Sequence, residues 1–194
     1  MIRLLTAAAL LLATPVPARA EFFAIPFMGM KFGGGTSIFD IEFAAGEKKF
    51  TMGAAAVSMD AGILGYEASF GYVPGYFERD NSLWTTGSFM VDLTGSVVLS
   101  LPPQVTAGGL RPYMTAGGGL VHVQAADKLR VIQVRRTVPV ANLGAGAIGL
   151  LTNNVGVRFD YRYVRSLTTD DGSLASVGRR ISYSRFTVGL LLRL

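Results

Sequence analysis

Polar and apolar residues alternate along segment 155–163 of this chain. Its odd positions carry valine, phenylalanine or tyrosine, and its even positions are Gly156, Arg158, Asp160 and Arg162. Successive side chains of a β-strand point to opposite faces of a sheet. The segment is therefore predicted to be a strand with one apolar face and one ionic face.

The same period of two recurs along the whole chain. Counting such runs gives eight predicted strands, at 24–34, 49–58, 62–73, 84–101, 110–124, 138–151, 155–167 and 181–194. A tilted strand needs about 9–11 residues to cross the hydrocarbon of a bilayer, and a sheet in lipid must close because lipid cannot satisfy an open edge. The pattern predicts an all-β fold, an eight-stranded antiparallel up-and-down transmembrane β-barrel.

The predicted connections alternate in length. Short turns are expected at 60–62, 102–109 and 152–154, and longer, more charged loops at 36–48, 74–83, 125–137 and 168–180. Short periplasmic turns and long extracellular loops are typical of outer-membrane barrels. Both ends of the barrel domain are therefore predicted to lie on the periplasmic side.

Residues 1–20 are predicted to be a signal peptide. Arg3 precedes an apolar run at 4–13, and Ala18-Arg19-Ala20 is a small-x-small cleavage signature. The run is about half of the ~20 residues that a membrane helix needs. Cleavage between Ala20 and Glu21 would leave 21–194 as the barrel domain, exported to the outer membrane of a Gram-negative-type bacterium. A membrane helix at 137–157 is disfavoured by its glycines, asparagines and proline.

Aromatic residues lie near the predicted ends of strands, where barrels carry two aromatic girdles. The predicted loop-side girdle comprises Tyr76, Phe77, Trp84, Tyr163, Tyr183 and Phe186, and the turn-side girdle Phe22, Phe23 and Tyr113.

Three further features resemble one family. They are the stretch PYMTAGGGLVHV at 112–123, the stretch VRFDYRY at 157–163, and a last strand with apolar residues at every second position from Phe186 to Leu194. With the signal peptide, they resemble the small outer-membrane β-barrel domain family of the OmpA and OmpX type, over nearly all of the mature chain. The resemblance implies contact with outer-membrane lipid and lipopolysaccharide, and recognition of the last strand by the barrel-assembly machinery. That strand usually ends in phenylalanine, whereas this one ends in Leu194.

The inward face is predicted to carry the charges. Parity assigns to it Lys31, Glu67, Asp92, Arg158, Asp160, Arg162, Arg185 and Arg193. An eight-stranded barrel is only wide enough for its own side chains, and charges of both signs in such a space should pair. A salt-bridged plug is expected instead of an open channel, with a gated pore as the alternative.

A soluble lipocalin-like barrel is the competing fold, because the same alternation would fit it with the aromatic side chains inward. Small residues on the charged face, such as Gly65, Ser69 and Gly71, favour a narrow polar interior and therefore the membrane barrel.

The sequence offers little for catalysis. There is no cysteine, and the one histidine, His122, lacks the serine two positions on that lipid A deacylases carry. Parity predicts that His122 points inward beside Gln124, within a polar network. The match to a dinucleotide fingerprint at 144–149 lies within the predicted strand 138–151, which leads through a turn into another strand instead of opening a helix. No enzymatic activity, catalytic residue, cofactor or metal site is predicted.

A structural, surface-interaction or adhesion role is therefore predicted for a barrel that is expected to be monomeric. Nucleic-acid binding is not expected, because the basic residues are not clustered among aromatic ones. Basic loop residues could meet the phosphates of lipopolysaccharide, and these are Lys128, Arg130, Arg135, Arg136, Arg179 and Arg180. A lipid A-modifying enzyme, a small-solute pore and a soluble lipocalin-like carrier stay open as alternatives.

Overall fold

The computed structural model of the chain describes residues 21–36, 48–59, 63–76, 85–101, 106, 110–127, 133–167 and 181–194. The predicted signal peptide, with Ala20, and most of the predicted loop residues lie outside the described residues. Eight strands fill the described ranges: β1 (Glu21–Thr36), β2 (Lys49–Met59), β3 (Leu64–Pro74), β4 (Thr85–Ser100), β5 (Leu110–Asp127), β6 (Gln133–Leu150), β7 (Val155–Ser166) and β8 (Ile181–Arg193).

The strands form one closed antiparallel barrel. Each strand pairs with the next along the chain, and β8 pairs with β1. The predicted fold class and the number of strands are confirmed. Nowhere in the described ranges is there a helix with the length and apolarity that a membrane-spanning helix requires.

The barrel has two distinct ends. We call the loop end the one at which residues 37–48, 75–84, 128–132 and 167–180 connect the strands, and the turn end the one with residues 60–63, 101–109 and 151–154. At the last of these turns, the Thr152 hydroxyl accepts hydrogen bonds from the backbone N–H groups of Asn154 and Val155, at 3.3 and 3.0 Å. This hydroxyl stabilises the predicted turn at 152–154 together with a backbone hydrogen bond from the Thr152 N–H to the Val155 carbonyl oxygen, at 3.0 Å.

The connection predicted at 125–137 is mostly strand. β5 and β6 pair as far as Ala126 and Gln133, which leaves only residues 128–132 between them. The ends of these two strands pair through backbone hydrogen bonds, which do not require an apolar face. The alternation of polar and apolar residues therefore could not predict that the strands extend this far. β7 ends opposite Val140, and residues 133–139 of β6 therefore extend beyond it at the loop end.

Large apolar side chains cover the outside of the barrel. Among them Tyr66 and Met28 are each 62% exposed and Leu93 is 58% exposed. An apolar surface of this extent suits lipid and not water, since soluble proteins rarely expose contiguous apolar patches of more than a few hundred Å². The soluble barrel with inward aromatic residues, kept open above, therefore does not fit the structure.

The wall is tightly packed where neighbouring strands approach. At the inward position Gly119 of β5, a Cβ atom would overlap the backbone carbonyl oxygen of Leu93 on β4. A glycine is required at this point, because a neighbouring backbone cannot give way as a flexible side chain can.

Candidate functional site

The interior of the barrel holds a network of buried ion pairs centred on Glu67 of β3. Arg158 donates to Glu67 Oε2 at 2.6 Å, and Arg162 donates to Glu67 Oε1 at 2.8 Å. Both guanidinium groups also contact Asp160 Oδ2, at 3.0 and 3.1 Å. Arg158, Asp160 and Arg162 alternate along β7 with outward residues, and the period of two thus places all three in the lumen.

A second ion pair joins opposite sides of the lumen. Arg185 of β8 donates through Nη1 to both carboxylate oxygens of Asp92 on β4, at 3.0 Å each. Gly71 lies beside this pair, and a Cβ atom at that position would overlap Asp92 Oδ2. The small residue on β3 therefore makes room for the ion pair, as expected for a narrow interior.

Tyr113 of β5 extends the network towards the turn end. Its hydroxyl donates to Asp160 Oδ2 at 2.7 Å and accepts from Arg158 Nε at 2.6 Å, and the Arg158 guanidinium lies 4.7 Å from the centre of the Tyr113 ring. Its position near a strand end predicted a place in the turn-side girdle, but the side chain is buried in the lumen. The alternation of Tyr113 and Thr115 with Met114 and Ala116 was the signal that could have assigned it to the lumen.

Apolar side chains fill the lumen on both sides of the network. The loop-end layer consists of Val73, Tyr76, Met90, Val121, Val123, Val138, Val140, Val164, Ile181 and Tyr183. The turn-end layer consists of Phe23, Ile25, Ala55, Val57, Met59, Val98, Tyr113, Ile148 and Leu191. The charged network therefore lies between two layers of apolar side chains.

Little space is left between these side chains. The internal cavity lined by Glu67, Ser69, Arg162 and Arg185 has a volume of about 10 Å³, roughly what one water molecule needs. Drug-sized ligands occupy pockets of about 300–1,000 Å³. The described part of the lumen therefore has no room for the ligand of a lipocalin-like carrier.

The structure places nearly all of the predicted luminal charges together inside the barrel. Lys31, Glu67, Asp92, Arg158, Asp160, Arg162 and Arg185 are buried. Lys31 lies above the network, where its Nζ is 4.4 Å from the centre of the Tyr76 ring. Arg193 does not join them: its side chain is 41% exposed and pairs with Glu21 at 2.7 Å. Arg193 keeps the inward parity but is the last residue of β8, so it lies at the turn-end rim and not within the lumen.

The inward orientation predicted for His122 is wrong. The buried residues of β5 include Val121 and Val123, so His122 points outward, where its Nδ1 lies 2.8 Å from Thr137 Oγ1. Its ring also lies 6.4 Å from that of Phe89. Near the loop end β5 carries apolar residues on both faces. The alternation therefore could not show which of its residues face the lumen. Gln124, which shares the parity of His122, points outward with it.

The predicted aromatic girdles are only partly correct. Phe22, Tyr163 and Phe186 are exposed on the outer wall, whereas Phe23, Tyr76, Tyr113 and Tyr183 are buried within the barrel. Phe77 and Trp84 lie outside the described residues. Aromatic residues favour strands on either face, and a position near a strand end therefore does not decide which way they point.

Two of the predicted basic loop residues can be placed. Arg135 and Arg136 are exposed on the part of β6 that extends beyond β7, and neither makes an ion pair with another described residue. Lys128, Arg130, Arg179 and Arg180 lie outside the described residues. Within the described ranges there is also no group of three or more histidine, aspartate or glutamate side chains that could hold a metal ion.

Comparison with known proteins gives structural neighbours only. No protein-family model matches the chain, and no curated protein sequence matches it. Neisserial surface protein A is 14% identical with a TM-score of 0.65, over 90% of this chain and 97% of that one. A major outer membrane protein of Thermus thermophilus is 14% identical with a TM-score of 0.61, over 90% and 99%. The attachment invasion locus protein of Yersinia pestis, in complex with the heparin analogue sucrose octasulfate, is 14% identical with a TM-score of 0.55, over 90% and 99%.

These likenesses concern the fold. The chain has the fold of the eight-stranded transmembrane barrels of outer membranes, which agrees with the apolar belt on its outer surface. The resemblance that the sequence suggested is confirmed at that level.

Proposed function

We propose that this protein is a monomeric outer-membrane barrel that acts at the cell surface through its loop end and conducts no solute. The observation that carries the proposal is the filled lumen. Buried ion pairs around Glu67 lie between two apolar layers, and the cavity beside these ion pairs is about the size of one water molecule. If the barrel has no channel and no ligand pocket, partners can bind only to its outer wall or to its ends, and we propose the loop end.

An outer-membrane location is supported by three separate features. The sequence begins with a predicted signal peptide, the outer wall is apolar, and the structural neighbours include a neisserial surface protein and a major outer membrane protein. We expect the protein in the outer membrane of a Gram-negative-type bacterium, inserted by the barrel-assembly machinery through β8.

The partner proposed for the loop end is lipopolysaccharide. Arg135 and Arg136 are exposed on the part of β6 that extends beyond the end of β7, and they make no ion pair with described residues. Arginine binds phosphate through paired N–H donors. One neighbour, the attachment invasion locus protein, was crystallised with a sulfated heparin analogue, a precedent on this fold for recognition of an anionic saccharide.

The surroundings of His122 do not support an enzyme. Its hydrogen-bond partner is the hydroxyl of Thr137, and the aromatic ring of Phe89 lies beside it. Among the described residues neither a serine nor a carboxylate forms a hydrogen bond with His122. A hydrolase needs a nucleophile and an orienting acid around such a histidine.

Two measurements test the proposal. The protein should be recovered in the outer-membrane fraction of cells that express it from its own signal peptide, with a gel mobility that shifts on boiling. The folded protein, reconstituted in planar bilayers, should give no single-channel steps, whereas a porin measured in the same bilayers should. Regular conductance steps from this protein would contradict the closed lumen, and recovery as a detergent-free soluble monomer would contradict the membrane location.

A further inference from the structure

We propose that a groove on the outer wall, where the first and last strands meet, binds an acyl chain of a phospholipid from the leaflet at the turn end. The groove has a volume of about 440 Å³ and is lined by Pro26, Met28, Val157, Val188 and Leu190, together with Phe27 and Gly189. The inference rests on the proposed membrane location of the barrel.

The groove coincides with an interruption in the ladder between β1 and β8. The register passes from Ala24 opposite Leu192 to Phe27 opposite Gly189, without a ladder pair at Ile25 or Pro26. A proline has no N–H to donate, and a proline within a sheet removes a ladder hydrogen bond. The interruption thus begins at the edge of the groove, where Pro26 lines it, and the ladder resumes at Phe27 and Met28 within the groove.

The chemistry of the groove fits an acyl chain. Its outward side chains are proline, methionine, valine and leucine, none of which carries a hydrogen-bond donor or a charge. The surrounding wall belongs to the apolar belt, where Met28 and Leu190 are 62% and 45% exposed. A hydrocarbon chain would fill the depression, and burial of apolar surface in tight contact is the only stabilisation that such a lining offers.

The position of the groove determines which membrane leaflet supplies the acyl chain. Val157 is two residues from the start of β7 at the turn end, and Leu190 is three residues from Arg193, which ends β8 at the same end. A chain that enters from the turn end reaches the groove directly. With the loops outward, this leaflet is the periplasmic one, which consists of phospholipid and not lipopolysaccharide.

The turn-end rim supplies a partner for the headgroup. Arg193 is partly exposed there, and its backbone N–H donates to the carbonyl oxygen of Asn154 at 2.9 Å. Its ion pair with Glu21 is also partly exposed, and exposed pairs contribute only about 0–1 kcal/mol. A lipid phosphate can therefore compete with the Glu21 carboxylate for the guanidinium.

The test uses native mass spectrometry of the folded protein released from vesicles of phosphatidylglycerol that also contain lipopolysaccharide. We expect one phosphatidylglycerol molecule to stay bound at a collision energy that strips the remaining lipid. L190F would fill the groove and should lower the retained fraction at least about fivefold. R193Q should lower it as well, by removing the partner of the phosphate.

L93F is the matched control, because Leu93 is 58% exposed on β4 in the same belt but does not line the groove. It should retain lipid as the wild type does. Equal retention by L190F and the wild type, or equal loss from L190F and L93F, would overturn the proposal. Retention of lipopolysaccharide in place of phosphatidylglycerol would also overturn it, because the occupant would then come from the other leaflet.

Two controls separate this inference from the proposed function. Each variant is first checked for the gel mobility shift on boiling, and V157F replaces L190F if the latter does not fold. A wild-type protein that fails to insert into vesicles contradicts the membrane location itself. A wild-type protein that inserts but retains no phospholipid contradicts only the groove.

Discussion

Arg158 of β7 and Glu67 of β3 meet inside the barrel, with Nη2 of the arginine 2.6 Å from Oε2 of the glutamate. The two side chains are 5% and 1% exposed, so each charge depends on the other for the interactions that water would otherwise supply. Glu67 also accepts from Arg162 at 2.8 Å, so its carboxylate binds two arginines of β7, and Asp160 contacts the same two arginines from β7 itself.

E67Q should therefore destabilise the barrel strongly. Removing one partner of a buried ion pair costs about 3–5 kcal/mol. Without the Glu67 carboxylate, Arg158 and Arg162 would share only the carboxylate of Asp160, so one positive charge would stay buried without compensation. The free energy of unfolding in urea, measured in detergent micelles by the loss of the folded gel band, should fall by that amount.

E21Q is the matched control for this substitution. Glu21 also pairs with an arginine, but the pair is partly exposed at the rim, where ion pairs contribute about 0–1 kcal/mol. If E67Q and E21Q changed the free energy of unfolding equally, the buried network would not stabilise the barrel in the way described.

Two glycines provide a second pair of predictions about stability. G119A places a methyl group against the backbone carbonyl oxygen of Leu93, and overpacking of this kind costs about 1–3 kcal/mol. At Gly95 nothing lies within 4 Å of an added Cβ. G95A should be neutral or stabilise the barrel by up to about 1 kcal/mol, since alanine restricts the unfolded chain. Urea unfolding of both variants in the same micelles compares them, and a loss of stability in G95A alone would contradict the packing described for β4 and β5.

The architecture could be predicted because the two faces of a membrane barrel differ in polarity, so polar and apolar residues alternate along its strands. In β7 the inward residues are Arg158, Asp160 and Arg162 and the outward ones are aromatic or apolar, so the phase of the strand is unambiguous. The closing of the sheet then follows from the lack of hydrogen-bonding partners in lipid. The same reasoning identified most of the buried charges without a structure.

The sequence was less informative where the interior is apolar. In the loop-end layer Val121 and Val123 point inward while Leu120 points outward, and no contrast of polarity marks the two faces. The predicted orientation of His122 was wrong for this reason. Tyr76 and Tyr183 were predicted to lie in the loop-side girdle, but both are buried. Which acid pairs with which arginine could not be read at all, because those contacts depend on the register between distant strands.

Binding of lipopolysaccharide should depend on the two arginines that rise above β7. Replacement of both by glutamine, R135Q/R136Q, removes two charges from the exposed part of β6. A basic residue near an anionic membrane surface contributes about 1 kcal/mol, so the affinity should fall about tenfold or more. The affinity is measured by flotation of the folded protein with lipopolysaccharide-containing vesicles. R193Q, which removes a charge at the turn end, should leave this affinity unchanged, and an equal loss in R193Q would show that only net charge matters.

The surroundings of His122 predict that the protein does not hydrolyse lipid A. The histidine lies on the outer wall with Thr137 as its hydrogen-bond partner, and no described carboxylate orients its ring. H122N should therefore leave the lipid A of an expressing cell unchanged relative to the wild-type protein, and neither should differ from a strain that carries an empty vector. Mass spectrometry of extracted lipid A makes the comparison, with outer-membrane fractionation to confirm equal amounts of both proteins. Loss of an acyl chain with the wild type but not with H122N would instead establish a histidine-dependent hydrolase, with its nucleophile outside the described residues.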